Sequence, residues 1–347
     1  MELEKFWRQL APFLSPLGLL YGKFMLIRRK AYRRGLFAAY RPRAFVISVG
    51  NITLGGEGKT PLVLWLASFL KARGIRAAIL TRGYKGRFKG PAIASRGEGP
   101  LFGPDAIGDE AYLLALKSRS PVMVARDRVQ GAFWAIKEFE AEVLILDDGF
   151  QHLRLERDLD LLLFSALRDP FKEKVFPAGR LREPLSVLKG ASAFILTKTN
   201  LARDEGKRLF KRLTPFEKPV FKIPYLNQGP YPLGKEQTKP LPRRVFAFAG
   251  LGDNTSFYES LKGLNISPVG FRALPDHVSY TPTLIRSLLD EAQRLGAEAL
   301  LTTEKDAVKL LTFKDELKSC YVLPLEASPG RDFEEFVLQK IRLCTGF

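Results

Sequence analysis

Along the chain, short apolar runs alternate with stretches whose apolar positions recur at helical spacing. The runs fall near 44–49, 75–81, 121–125, 142–147, 159–165, 192–197, 218–223, 243–249, 298–303 and 319–324. Amphipathic segments lie between several of them, at 61–73, 109–118, 127–139, 203–213, 282–295 and 331–343. Strands and helices in this order predict mostly parallel sheets covered by helices, an α/β fold. Ligands of such sheets bind beyond the carboxyl ends of the strands. The Pro- and Gly-rich stretch 214–242 reads as a linker between a larger domain at 44–213 and a smaller α/β domain at 243–347, whose last helix is free to pack back on the first. Residues 82–104 carry many Gly and basic residues with little periodicity, and read as a mobile loop or hairpin.

Residues 1–43 follow another pattern. Phe6-Trp7, 10–21 and 24–27 are apolar, yet the longest uncharged run, Gln9 to Gly22, has 14 residues. That is short of the ~20 a membrane span needs, and Pro12 and Pro16 are expected to break it further. The acidic start and the lack of a small-residue cleavage site argue against a signal peptide. Charge sharpens the reading: this segment holds ten Lys and Arg against Glu2 and Glu4, a large share of a net +18. Apolar residues followed by a basic cluster predict a segment lying in the interface of an anionic bilayer. Elsewhere the composition is that of a globular chain, and only two cysteines, Cys320 and Cys344, exclude a disulfide scaffold.

The first chemistry lies after the run at 44–49. Gly50-Asn-Ile-Thr-Leu-Gly-Gly-Glu-Gly-Lys-Thr-Pro61 joins a strand to a helix through a glycine-rich loop, the layout of a phosphate-binding loop. Glycines let backbone N–H groups turn toward phosphate oxygens, and the helix N-terminus adds partial positive charge. Gly55, Gly56, Glu57, Gly58, Lys59, Thr60 and Pro61 form the candidate cradle, with Lys59 reaching the β/γ-phosphates and the Thr60 hydroxyl on Mg²⁺. The usual spacing asks for glycine at position 53, where Thr53 stands. The local G-G-x-G-K-T resembles the deviant loop of one branch of the P-loop NTPases.

Glu142-Val-Leu-Ile-Leu-Asp147-Asp148 is an apolar strand ending in two carboxylates, where a P-loop protein holds Mg²⁺. Gly149-Phe-Gln-His152 follows. The other histidine of the chain, His277, lies in Pro275-Asp276-His277-Val-Ser-Tyr280. Gly108-Asp109-Glu110 opens a helix, either complementing its dipole or presenting a general base. Arg82, Arg126, Arg128, Arg180 and Arg182 recur at strand ends, as phosphate grips or as solvated charges. Gly250-Leu-Gly252 hints at a dinucleotide loop but lacks its third glycine, and Thr303-x-x-Asp306 is a helix-capping pattern.

Together these segments, with Thr81-Arg-Gly-Tyr84, Arg126-Asp-Arg128, Pro177-Ala-Gly-Arg-Leu-Arg-Glu-Pro184 and Thr302-Thr-Glu-Lys-Asp306, resemble the tetraacyldisaccharide 4'-kinases of lipid A synthesis. The resemblance implies a P-loop NTPase-like α/β/α sandwich. It implies transfer of the ATP γ-phosphoryl group to the 4'-hydroxyl of an acylated glucosamine disaccharide 1-phosphate, on the cytoplasmic face of the bacterial inner membrane. Mg²⁺ would sit on Thr60, Asp147 and Asp148, and Asp109 with His277 would form the acid–base dyad, assembled by closure of the two domains. Arg82, Glu110, Arg128, His152 and Arg182 would meet substrate or phosphate. Glu57, where the family commonly has threonine, would put an acid beside the phosphates. No nucleic acid or obligate protein partner is implied. An assembly or maturation ATPase of the same loop class is the alternative, disfavoured because Leu54 stands where those proteins carry a second lysine.

Overall fold

The computed structural model describes residues 2–235 and 237–345; the side chains of residues 1–9, Phe6 and Trp7 among them, lie outside the described set. Eight strands build the first sheet: β1 (Phe45–Gly50), β2 (Ala77–Thr81), β3 (Ala92–Arg96), β4 (Pro121–Val124), β5 (Val143–Asp147), β6 (Leu159–Ser165), β7 (Ala193–Thr197) and β8 (Val220–Ile223). Their order is β3-β4-β2-β5-β1-β6-β7-β8, parallel throughout except for β3, which runs antiparallel to β4. Strands β1, β2, β5, β6 and β7 are buried along their whole length, as unbroken apolar runs require when helices cover both faces.

The helices follow in chain order: α1 (Glu2–Arg33), α2 (Lys59–Lys71), α3 (Pro104–Ile107), α4 (Asp109–Lys117), α5 (Arg128–Phe139), α6 (Arg203–Leu213), α7 (Asn254–Gly263), α8 (Pro282–Arg294), α9 (Glu304–Leu310) and α10 (Arg331–Thr345). Leu62, Val63 and Leu66 of α2, Leu114 of α4, and Phe333, Val337 and Ile341 of α10 cover one face of the first sheet. Ala132 and Ala135 of α5 and Leu209 and Leu213 of α6 cover the other. The last helix therefore returns to the first domain, completing an α/β/α sandwich.

Between these units, β9 (Tyr225–Asn227) leads to a second sheet of β10 (Tyr231–Pro232), β11 (Val245–Ala249), β12 (Gly270–Ala273), β13 (Ala299–Thr303) and β14 (Cys320–Leu323), ordered β10-β14-β13-β11-β12. Phe257 and Leu261 of α7 pack on one side, Ile285, Leu288 and Ala292 of α8 on the other. The chain returns through β15 (Leu325–Ala327), which pairs antiparallel with β9. The two crossings thus brace each other.

Three segments differ from the sequence reading. The stretch 214–242 is not free linker: β8 closes one edge of the first sheet and β10 one edge of the second. Residues 82–104 hold edge strand β3, with Phe88 set edge-on to Phe102 at 4.9 Å. Most plainly, Pro12 and Pro16 do not break α1, which is continuous over 32 residues. Packing offsets the lost hydrogen bonds: Gly18 and Gly22 lie so close to Val175, Ala178 and Pro184 that a Cβ on Gly18 would stand 2.7 Å from the Val175 carbonyl oxygen. Leu10–Arg33 is long and apolar enough to cross a membrane, and Phe13, Leu17, Leu20, Phe24 and Ile27 project from it exposed.

Candidate active site

β1 and β5 are neighbours in register, Val49 beside Asp147, so the loop after β1 and the carboxylates ending β5 emerge side by side. They open onto one cleft of about 940 Å³ that also reaches Asp276 and His277 of the second domain. Gly58 precedes α2 with φ +85°, a left-handed conformation in which glycine alone is unstrained. Lys59 then begins the helix, and its Nζ donates to Asn51 Oδ1 at 3.1 Å and lies 3.4 Å from Asp148 Oδ1. Gly55, Gly56, Thr60 and Pro61 line the same cleft.

Glu57 behaves otherwise than the sequence implied. Its carboxylate is buried, accepting from the Thr53 hydroxyl and the Ser165 N–H. The acid ties the loop to β6. Two residues passed over in the sequence complete this anchorage: the Thr197 hydroxyl donates to the Glu57 carbonyl at 2.9 Å, and Lys198 Nζ to the Gly56 carbonyl at 3.0 Å. Thr-Lys at the end of a buried strand was the only signal for them. Burial lowers the Lys198 pKa, against the pull of Asp253 and Glu57.

The two β5 carboxylates are held differently. Asp147 is buried and accepts from the Thr81 hydroxyl at 3.0 Å. Burial, with Glu110 and Asp148 close by, pushes its pKa up to about 6. Asp148, at φ +54°, is gripped through both oxygens by Arg182 Nη1 at 3.0 and 2.8 Å. Burial acts to raise its pKa, but Lys59 and Arg182 outweigh it and hold the carboxyl far below the usual range. The surplus of buried negative charge around Asp147 is what a divalent cation relieves, and two carboxylates with the Thr60 hydroxyl suit Mg²⁺, which keeps several waters and shares phosphate oxygens.

This environment sets a pH signature for the ligand-free protein. A carboxylate whose pKa is higher folded than unfolded binds more protons in the folded state, so stability falls as pH rises from about 4 to about 6 and stays reduced above. Asp147→Asn is therefore expected to stabilise the ligand-free protein by roughly 1–3 kcal/mol at pH 8 and by little at pH 4. Thermal melting at the two pH values checks this; equal shifts at both would contradict the assigned cause.

The second domain supplies the other half of the cleft. His277, itself at φ +56°, places Nδ1 3.4 Å from Asp109 Oδ2 and Nε2 3.3 Å from Lys305 Nζ. An ammonium only donates, so Nε2 accepts from Lys305 and Nδ1 carries the proton toward Asp109. Burial opposes the Lys305 charge, but Glu110 at 3.1 Å and Asp276 at 3.2 Å raise its pKa. Burial likewise acts to raise the Asp109 pKa, yet the His277 hydrogen bond, Lys309 and Lys305 bring it below the ordinary carboxylate range. Tyr84 lies edge-on to His277 at 5.1 Å, and Lys85 Nζ donates to the His277 carbonyl at 3.4 Å. The pair expected to need domain closure is thus assembled across the domains.

The remaining expected contacts divide. Arg82 and Arg182 line the cleft, as does Glu110, bound to Lys305. Arg128 is buried and donates to the carbonyls of Ala125 and Asp147, so it braces the end of β5 as well as facing the cleft. Burial and the nearby Arg128 lower the His152 pKa to about 4, leaving a neutral ring whose Nε2 is buried without a hydrogen-bond partner among the described residues. Of the decoys, the Gly250 N–H donates to Asp306 Oδ2, and Thr303 caps α9 by accepting from the Asp306 N–H.

A glycine loop at a helix N-terminus, a paired carboxylate on the adjacent strand and a cross-domain Asp–His pair define a two-domain P-loop phosphotransferase. A family model described as LpxK, tetraacyldisaccharide-1-P 4'-kinase, matches residues 10–342. The chain belongs to that family. A tetraacyldisaccharide 4'-kinase of Desulfotalea psychrophila is 37% identical over 340 residues, 96% of each chain. The enzyme so named from Aquifex aeolicus is 36% identical, covering 90% of this chain and 94% of its own. A crystal structure of LpxK from Aquifex aeolicus in complex with ATP superposes with a TM-score of 0.75 at 33% identity, covering 96% of this chain and 99% of that one.

Proposed function

We propose that this protein is an ATP-dependent lipid kinase. It transfers the γ-phosphoryl group of ATP to the 4'-hydroxyl of tetraacyldisaccharide 1-phosphate, giving lipid IVA, at the cytoplasmic face of the inner membrane. The observation that carries the reading is the Asp109–His277 pair, whose histidine lines the cleft that holds Lys59 and Asp148. Phosphoryl transfer asks a protein mainly for positioning and charge neutralisation. The loop amides and Lys59 would hold the β/γ-phosphates, and Thr60, Asp147 and Asp148 would hold Mg²⁺, which when bound would neutralise phosphate charge. Asp109 takes the proton of the attacking 4'-hydroxyl, His277 Nδ1–H steadies the carboxylate, and Arg82 and Arg182 face the phosphates. α1 lays its exposed apolar side into the bilayer, where the acylated acceptor resides.

The test is ³²P transfer from [γ-³²P]ATP to tetraacyldisaccharide 1-phosphate in detergent micelles. Labelled acceptor is expected only with Mg²⁺ present. Folded, ATP-binding protein that releases free phosphate and labels no lipid would return the reading to the assembly-type ATPase.

A further inference from the structure

We infer that Arg29 is a positioning residue through which the apolar helix α1 sets the geometry of the phosphate end of the site. Arg29 sits near the end of α1, yet it is buried against a carboxylate, Glu183, that is fully enclosed. The pair is bidentate, Nε to Oε1 at 2.8 Å and Nη2 to Oε2 at 2.7 Å. Nη2 also donates to the Phe150 carbonyl at 2.9 Å, and the guanidinium stacks 4.3 Å from the Phe150 ring centroid. One side chain therefore clamps two segments at once. Phe150 lies two residues past Asp148, and Glu183 directly follows Arg182, the residue gripping both Asp148 oxygens.

The clamp has little slack. A Cβ on Gly50 would lie 2.6 Å from Phe150 Cβ, so the Phe150 backbone is wedged against the end of β1 where the phosphate loop starts. The next residue is tied in as well: Gln151 Nε2 donates to the Asn51 carbonyl at 2.9 Å and lies 3.4 Å from Glu183 Oε2, while Arg28 Nη1 donates to the Gln151 carbonyl at 3.2 Å. A helix serving only as an anchor has no use for a buried, forked ion pair at its inner end. A planar guanidinium fork fixes direction as well as distance, which a lysine ammonium does not. Any shift of α1 is thereby passed to Asp148 from both sides, through Phe150 and through Glu183–Arg182. The seating of the helix on a lipid surface is then read directly by the site.

The inference rests on the proposed role of Asp148 at the phosphates, and the experiment separates the two. In the full-length protein, Arg29→Met is compared with Arg29→Lys and with Lys30→Met, an exposed cation of the same helix. We expect Arg29→Met to lower kcat at least tenfold in micelles and to weaken calorimetric Mg²⁺·ATP binding several-fold, with flotation on anionic vesicles unchanged. Arg29→Lys keeps the charge but loses the fork and should fall between, while Lys30→Met stays at wild-type kcat. Should Arg29→Met fail to fold, Arg29→Lys decides alone: wild-type kcat and Mg²⁺·ATP affinity in folded Arg29→Lys overturn the inference. So does an Arg29→Met whose loss lies only in the fraction of folded molecules. If Asp148→Asn itself leaves transfer and Mg²⁺·ATP binding intact, the underlying reading of the site fails instead.

Discussion

Lys59→Met is expected to lower kcat/KM for phosphoryl transfer by about 10³-fold or more. Lys59 is the first residue of α2, where the positive end of the helix already favours phosphate, and its ammonium is held ready by Asn51 Oδ1 and Asp148 Oδ1. Methionine keeps the length and removes the charge. The loss falls twice: the γ-phosphate loses a direct partner, and Asp147 and Asp148 lose a cation that lowers the pKa of both. Protonated carboxyls hold Mg²⁺ poorly, so part of the lost rate should return as pH is raised, which a purely steric defect would not allow. The transfer assay, with ATP binding measured in parallel, checks this; a decrease smaller than tenfold would remove Lys59 from the γ-phosphate.

Why the phosphate loop could be read from the sequence and its anchorage could not is a matter of distance along the chain. Strand, glycines, Lys59 and Thr60 are consecutive, and each has a backbone reason for its place. The α/β class follows from unbroken apolar runs alternating with helices, whereas the strand order comes only with the packed sheet. Glu57 was misplaced because its partners, Thr53 and the Ser165 N–H, belong partly to β6, and only the packed sheet brings β6 beside the loop. Thr197, Lys198 and the Arg29–Glu183 pair are likewise made by tertiary contact across more than a hundred residues. The proline rule failed on α1 for the same reason. Local cost predicted a break, and contacts with Val175, Ala178 and Pro184 overrode it.

Asp109→Asn is expected to lower kcat by about 10²–10³-fold while ATP binding stays near wild type. The amide keeps the shape of the carboxylate but cannot take a proton, and the Asp109 side chain is engaged with His277 and Lys309 of the second domain. A carboxylate held below its ordinary range by His277, Lys309 and Lys305 is a weak base. In a loose transition state the hydroxyl proton leaves late, so orientation of the nucleophile matters more than base strength. This sets the expectation for the partner residue: His277→Ala removes the group that steadies Asp109, and its loss should be of similar size. The double variant should then be little worse than either single one, because the two residues act as a unit. Single-turnover rates for the three variants decide the matter, and multiplicative losses would mean that Asp109 and His277 act on separate steps. Lys305→Met adds a finer check. It removes the donor to His277 Nε2, while the Asp109 carboxylate, which can only accept, still holds the ring proton on Nδ1. A rate loss clearly smaller than that of His277→Ala is expected, since the group that steadies Asp109 stays in place.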